Sequence, residues 1–296
     1  MKAFDCIAAR NTAHAVALLA EHGSSARVLA GGTDLLVDLK SALDGPRIVI
    51  DLSHIEELRR IERADDGLRI GALVTHTDIM RSPAIRDLCP ALVDAAHTIG
   101  AVQTRNLGTL GGNLVTGVPS MDSGPALLAL DARVTLAGEA GRREMSLEEF
   151  FVGPRKTALK PDELLVDIRI PRQNFGKPLA FLKFGLRKGQ ALALVNVAAG
   201  FRIDENKHAF RAPCIALGAV APTVIRAREA ERYLEGRSIS TEAMAEAARI
   251  AVTAAKPISD FRSSAAYRRD LIEVLTRRAL EQAHARAHTA TRELSA

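Results

Sequence analysis

The sequence predicts an α+β protein with two or three lobes, and three patterns predict it. Short strand and helix signals alternate through the first half, a glycine- and proline-punctuated stretch fills the middle, and the last third passes from alternating apolar segments to two long helical ones. At 296 residues with 47% hydrophobic content, the chain can bury a sizeable core and two domains are expected. Internal repeats and low-complexity linkers are absent from the sequence.

Taken in order, NTAHAVALLAEH at 11–22 puts Ala15, Leu18 and Leu19 on one helical face, with Asn11 or Thr12 as N-cap and Gly23 as stop. RVLA at 27–30 is a short strand running into Gly31-Gly32, after which TDLLVDLK is helical, so the glycine pair marks a strand-to-helix turn. RIVIDLS at 47–53 and LRIGALV at 68–74 give further strands. From Asp78 to Ile99 the pattern is helical but broken at Pro83 and Pro90, because proline interrupts the backbone ladder outside a first turn. The segment Gly100–Gly117 holds too much glycine for a helix or strand interior and is expected to be a loop. Regular structure resumes in ALLALDARVTLAG and in ELLVDIRIP at 163–171, a strand closed by Pro171. The polar turn QNFGKP is the domain boundary. Beyond it FLKFGL, ALALVNVAAGFRI and APCIALGAV alternate as an antiparallel sheet would, followed by helices over 240–255 and 264–285.

Composition excludes several functions. The net charge is +5, but 40 basic and 35 acidic residues are interspersed, and there is no Trp and only Tyr233 and Tyr267, so a nucleic-acid surface is not expected. The main basic concentration, Arg262, Arg268, Arg269, Arg277, Arg278 and Arg286, reads as a solvated helix face, with a partner or nucleic-acid surface as the alternative. Cys6, Cys89 and Cys214 lie far apart without C-x-x-C spacing, so neither zinc nor an iron–sulfur cluster can be assembled from this chain alone. Free thiols, no signal-like N-terminal run and no stretch of about 18 apolar residues predict a cytoplasmic protein without a membrane span. The eight histidines form no recognisable acid–base set.

Two glycine segments carry the binding chemistry. In Ala30-Gly31-Gly32-Thr33-Asp34, paired glycines let successive backbone N–H groups converge on an anion, and the following helix start favours negative charge. Asp34 would repel phosphate, so it either accepts from a sugar hydroxyl or caps the helix. In RNLGTLGGN at 105–113 a threonine, an asparagine and a downstream acid, Asp122, join the glycines. That mixture of donors and acceptors suits a phosphate-plus-polyol ligand. Arg105 is a candidate partner for a phosphate or a carboxylate, with an exposed structural arginine as the alternative.

AGGTDLL at 30–36, RNLGTLGGN, PSMD at 119–122 and ELLVDIRIP closely resemble the flavin subunit of aerobic carbon monoxide dehydrogenase and the flavin domain of xanthine dehydrogenase. FLKFGLRKGQALALVNVAAG at 181–200, ALGAVAPTVIRAREAE at 216–231 and DFRSSAAYRR at 260–269 resemble the C-terminal domain that accompanies it, so the resemblance covers nearly the whole chain. It implies a two-lobed FAD-binding domain of the PCMH / CO dehydrogenase flavoprotein type over 1–174, with a break near 55–60. An α+β C-terminal domain with a small antiparallel sheet and helices then spans 178–285, and 286–296 is a tail.

By the same resemblance, the first loop holds the FAD diphosphate through Ala30, Gly31, Gly32, Thr33 and Asp34, with Val28 and Leu29 leading in and Leu35 just beyond. The second does so through Thr109, Leu110, Gly111, Gly112 and Asn113. Ile99 matches a position where relatives place an aromatic against the flavin. Asp122 should accept from a ribityl or ribose hydroxyl, while Val166 and Lys183 match further FAD-contacting positions, each with an ordinary structural role as the alternative. No catalytic acid, base or nucleophile is expected, since the flavin carries the chemistry.

The implied function is electron transfer within a molybdenum hydroxylase. A large subunit carries the molybdenum cofactor, a small subunit carries two [2Fe–2S] clusters, and FAD on this chain passes electrons to an external acceptor, in a dimer of heterotrimers. The alternatives are a self-sufficient FAD-dependent oxidoreductase with a related flavin domain, and a cofactor-free protein that keeps the fold.

Overall fold

The structure, a computed structural model, describes residues 3–42 and 45–293. Strands β1 (Asp5–Ala8), β2 (Ala26–Leu29) and β3 (Ile48–Asp51) form a parallel sheet in the order β1-β3-β2, with helices α1 (Thr12–His22) and α2 (Leu35–Ser41) as the crossovers that parallel pairing demands. Asn11 caps α1 by accepting from the His14 N–H at 2.8 Å, and Ala15, Leu18 and Leu19 are buried as the periodicity requires. Their core is completed by Leu164 and Val166 from the next lobe, so this small sheet does not pack alone.

The second lobe is built on an antiparallel sheet of order β4-β5-β10-β6-β7. Its strands are β4 (Ile61–Ala64), β5 (Gly67–Gly71), β6 (Arg133–Gly138), β7 (Gly141–Ser146) and, after a short hairpin of β8 (Phe151–Gly153) and β9 (Lys156–Thr157), β10 (Leu164–Pro171). Between β5 and β6 lie α3 (His76–Arg81), α4 (Pro83–Leu88), α5 (Pro90–Thr98), α6 (Val102–Leu107), α7 (Leu110–Thr116) and α8 (Ser123–Ala129), while α9 (Leu147–Phe150) precedes the hairpin. Pro83 and Pro90 both open helices, where the missing N–H has no partner to lose. The expected loop at 100–117 is instead helical over most of its length. Gly111 and Gly112 fall in the first turn of α7, where no preceding carbonyl has to be reached, and left-handed Gly117 (φ 61°) ends it.

The C-terminal domain pairs β11 (Leu179–Phe184), β12 (Val195–Asp204), β13 (Ala209–Gly218) and β14 (Ile225–Arg226) antiparallel in that order, under α10 (Arg228–Leu234), α11 (Thr241–Thr253) and α12 (Ala265–Glu293). Both faces of this sheet are covered. Val197, Ala199, Ile215 and Leu217 face the C-terminal helices, while Ala198, Cys214 and Ala216 join the core of the second lobe. Of the tail expected over 286–296, residues 286–293 continue helix α12, and 294–296 lie outside the described residues. The C-terminal arginines are largely engaged: Arg268 is buried and donates to the Leu194 carbonyl and Asp260, and Arg286 ties Asp94 and the Leu179 carbonyl to α12.

Candidate functional site

A cleft of about 1050 Å³ opens between the parallel sheet, the second lobe and the 190–192 segment of the C-terminal domain, large even among cofactor sites. The two glycine segments meet on its wall.

The first is a strand-to-helix turn that could be built only with glycine. A Cβ on Gly31 would lie 1.8 Å from the Leu107 carbonyl oxygen, and Gly32 sits at φ 71°. The first helical bond runs from the Leu36 N–H to the Gly32 carbonyl at 3.1 Å. Among the described residues, no acceptor takes the N–H of Gly31, Gly32, Thr33, Asp34 or Leu35, all of which line the cleft. Five successive free amides at a helix start form a nest for an anion. Asp34 stands at the N-cap position but its side chain makes no cap bond, which removes the capping alternative. Burial raises its carboxyl above the ordinary carboxylate value, opposed by Arg155.

The second segment is spent differently. Leu110 and Gly111 donate to the carbonyls of Val74 and Ala72, both at 2.9 Å, Gly112 to Thr109 Oγ1 at 3.0 Å and Asn113 to the Thr109 carbonyl at 3.0 Å. A Cβ on Gly111 would lie 2.6 Å from that of Ala72, so this glycine serves close packing. Gly112 would meet only Thr109 Oγ1, leaving its Cα face open to the cleft. Asn113 accepts from Ser123 through Oδ1, which leaves its amide nitrogen for a ligand.

Asp122 also reaches the cleft, but its carboxylate is already engaged. It accepts from Lys183 Nζ and, at 2.8 Å, from Asn196 Nδ2, while Lys183 also donates to the Thr98 carbonyl at 3.0 Å. Burial pushes the Asp122 carboxyl upward against the pull of Lys183. This buried pair joins the C-terminal sheet to the helix that follows the second segment.

Thus Val28, Ala30 to Leu35, Ile99, Thr109, Gly111, Gly112, Asn113 and Asp122 line the cleft, whereas Leu29, Leu110, Val166 and Lys183 do not. Leu110 and Val166 are buried in apolar cores. Val166 is the extra residue where the β10–β6 register shifts between Leu165 and Asp167, and its neighbours Leu164 and Leu165 take the cleft wall. No sequence signal marks such a bulge.

Sequence reading missed His76, Arg155 and Lys160, each on the cleft. His76 is buried, its Nδ1 has no partner, and its backbone N–H donates to the Gly108 carbonyl at 3.1 Å. Burial, with Arg105 nearby, lowers its pKa to about 4, so the ring is neutral near neutral pH. Arg155 pairs with Asp38 across the cleft mouth. The charges of Arg155 and Lys160 were visible in the sequence, but only the fold brings them to the cleft that the nest lines.

A nest of amides for a diphosphate, Asp34 and Asn113 for hydroxyl groups, and apolar walls from Leu52, Leu73, Leu164 and Leu165 fit an extended dinucleotide-type cofactor. Among the described residues no cluster of His, Cys, Asp and Glu could hold a metal ion. Fold and cleft together define a cofactor-carrying protein of mixed α+β architecture. Residues 2–173 match the family model for the FAD-binding domain in molybdopterin dehydrogenase, and residues 180–283 match the CO dehydrogenase flavoprotein C-terminal domain. The chain belongs to this family of oxidoreductase FAD subunits.

It is 34% identical to the carbon monoxide dehydrogenase medium chain of Hydrogenophaga pseudoflava, over 96% of this chain and 98% of that one. It is also 34% identical to the alpha subunit of the 6-hydroxypseudooxynicotine dehydrogenase complex of Paenarthrobacter nicotinovorans, over 96% and 95% of the two chains. Carbon monoxide dehydrogenase from Hydrogenophaga pseudoflava superposes with a TM-score of 0.91 over 96% of this chain and 98% of its own, at 34% identity. Quinoline 2-oxidoreductase from Pseudomonas putida 86 does so at 0.90 over 97% and 100%, at 31% identity.

Proposed function

We propose that this chain holds FAD in the cleft as the electron-transfer subunit of a heterotrimeric molybdenum hydroxylase. The observation that carries the site is the run of five free N–H groups from Gly31 to Leu35, on residues that line a cleft of cofactor size. The flavin domain of the proposal spans 1–174, and 178–285 is the domain that closes the cleft from the far side.

Each part of the site has a task that follows from its chemistry. The nest donates to the diphosphate without bringing a side-chain charge, and Arg155 and Lys160 add positive potential at the wall. Asp34, uncapped and half-buried, accepts from a sugar hydroxyl. Asp122, held by Lys183 and Asn196, keeps lone pairs for a second hydroxyl, so its geometry is fixed before the ligand arrives. Ile99 and the leucines of β10 exclude water by aliphatic packing. When bound, FAD supplies a centre that exchanges electrons both singly and in pairs, and the chain contributes position and electrostatics.

The partners in this reading are a large subunit with the molybdenum cofactor and a small subunit with [2Fe–2S] clusters, assembled as a dimer of heterotrimers. Its electrons leave to an external acceptor. Relatives named as subunits of such dehydrogenases support it. A cytoplasmic location is part of the proposal, supported by three free cysteines. No helix among the described residues is long and apolar enough to cross a membrane. Purification from the native source tests all of this: a yellow complex of three chain types, releasing FAD on acid treatment and containing molybdenum and iron, is expected. A colourless chain, or a yellow chain that turns over substrate alone, overturns it.

A further inference from the structure

A second cavity, of about 480 Å³, lies between the 172–178 segment, the β12–β13 hairpin and α10, and it shares no lining residue with the flavin cleft. Its wall carries six cations, Lys177, Arg202, Arg211, Arg226, Arg228 and Arg232, against three carboxylates, Asp131, Glu231 and Glu235, a positive surplus. The carboxylates are already engaged. Glu231 accepts from Arg226 and the Ile215 N–H and lies 3.6 Å from the Arg228 guanidinium, Asp131 accepts from Arg226 and Asn174, and Glu235 from the Ala212 N–H at 2.9 Å.

Lys177, Arg202 and Arg211 are left over. Among the described residues none of the three has a carboxylate partner, and the Arg211 guanidinium has no acceptor at all. Arg202 donates only to the carbonyls of Gln173 and Phe175, both at 2.9 Å. Lys177 is 4% exposed, with the thiol of Cys214 as its polar neighbour. An ammonium taken out of water without a counter-charge is strongly unfavourable, so a lysine in this position points to an anion in the cavity it lines.

The backbone is shaped around these side chains. The β12–β13 register shifts between the pairs Gly200–Cys214 and Arg202–Arg211, which sets Ala212 and Pro213 opposite Phe201 as a bulge. Ala212 is left at φ 47°, a conformation unusual for alanine. The bulge brings Arg211 to the cavity rim beside Arg202, its partner across the strands. Two planar guanidiniums and one ammonium around a small cavity match a tetrahedral oxyanion with two negative charges.

We infer that this chain has a second binding site, for a phosphate group, held by Lys177, Arg202 and Arg211. Calorimetric titration of the flavin-loaded full chain at constant ionic strength tests it, because there the nest at Gly31–Leu35 is already filled. Inorganic phosphate is expected to bind at one site per chain. Arg211→Ala, a change on the exposed rim, is expected to weaken binding at least about tenfold, one Arg–phosphate contact being of order 1.4 kcal/mol or more, with flavin content unchanged. Lys177→Met should abolish binding and raise the melting temperature in phosphate-free buffer, because it removes an uncompensated buried charge. Tighter binding of glycerol 3-phosphate than of inorganic phosphate assigns the site to a phosphorylated metabolite, and the reverse assigns it to free phosphate. No binding of either anion at about 10 mM, or equal affinity in wild type and Arg211→Ala, overturns the inference. Binding of acidic partner protein without phosphate binding does so as well.

Discussion

The two glycine segments of the large cleft have similar composition and opposite uses. At Gly31–Leu35 the chain leaves five successive amides unbonded, whereas at Leu110–Asn113 the four amides are consumed by Val74, Ala72 and Thr109. The longer motif, with its threonine and asparagine, is the stronger signal in the sequence, yet the shorter one presents the anion nest. A glycine permits a backbone conformation or a close approach, and the sequence does not say which. Gly32 provides the first with its positive φ; Gly31 and Gly111 provide the second, against Leu107 and Ala72.

Mutations at the two segments should therefore separate ligand binding from folding. The largest loss of flavin is expected for Gly31→Ala, whose Cβ cannot coexist with the Leu107 carbonyl. The nest must shift, so flavin retention is lost, together with about 2 kcal/mol of stability from overpacking. Normal flavin content in that variant removes the nest from the site. Asp122→Ala leaves Lys183 buried without its counter-charge and is expected to lower unfolding free energy by about 3–5 kcal/mol and to weaken flavin retention. Asp122→Ala with Lys183→Met should recover most of the stability, and a double variant as unstable as the single one contradicts the pairing argument. Gly112→Val places a branched side chain on the open face of α7, so flavin occupancy should fall sharply while the C-terminal domain stays folded. Full occupancy, read from the absorbance ratio, would show that the cofactor does not approach there.

Smaller effects on flavin binding are expected at the seam between the segments. His76 is lowered from 6.5 to about 4 by burial, so the unfolded chain binds a proton in that window which the folded chain refuses. Stability is thus full above about pH 6.5 and declines as pH falls toward 4, by at most about 3 kcal/mol. Urea unfolding of wild type and His76→Leu across that range measures it, the variant showing a flatter profile. The smallest change is expected for Thr109→Ala, which removes the cap of α7 at about 1 kcal/mol. Because this segment donates its amides internally, flavin affinity should change far less than in Gly31→Ala. A loss of flavin as complete as that variant's would mean that the two segments are not used differently after all.

Much of this protein was legible in its residues. The spacing of Ala15, Leu18 and Leu19, the breaks at Pro83 and Pro90 and the alternation beyond residue 179 fix helices and strands through local periodicity, which depends on near neighbours. The glycine motifs pointed to the large cleft for the same reason, since backbone freedom is a local property. The helices within 100–117 were not legible, because glycine's low propensity was overridden by the Thr109 cap and by packing against Ala72. Nor was the position of Val166, which a bulge turns inward while Leu165 takes the wall. What only the tertiary structure decided is which polar groups remain unpaired: the free amides of Gly31–Leu35, the neutral His76, and the surplus cations Lys177, Arg202 and Arg211. Composition lists every donor and acceptor, but whether a group such as the Asp122 carboxylate is satisfied depends on partners far along the chain, here Lys183 and Asn196, and only folding brings those within hydrogen-bond reach.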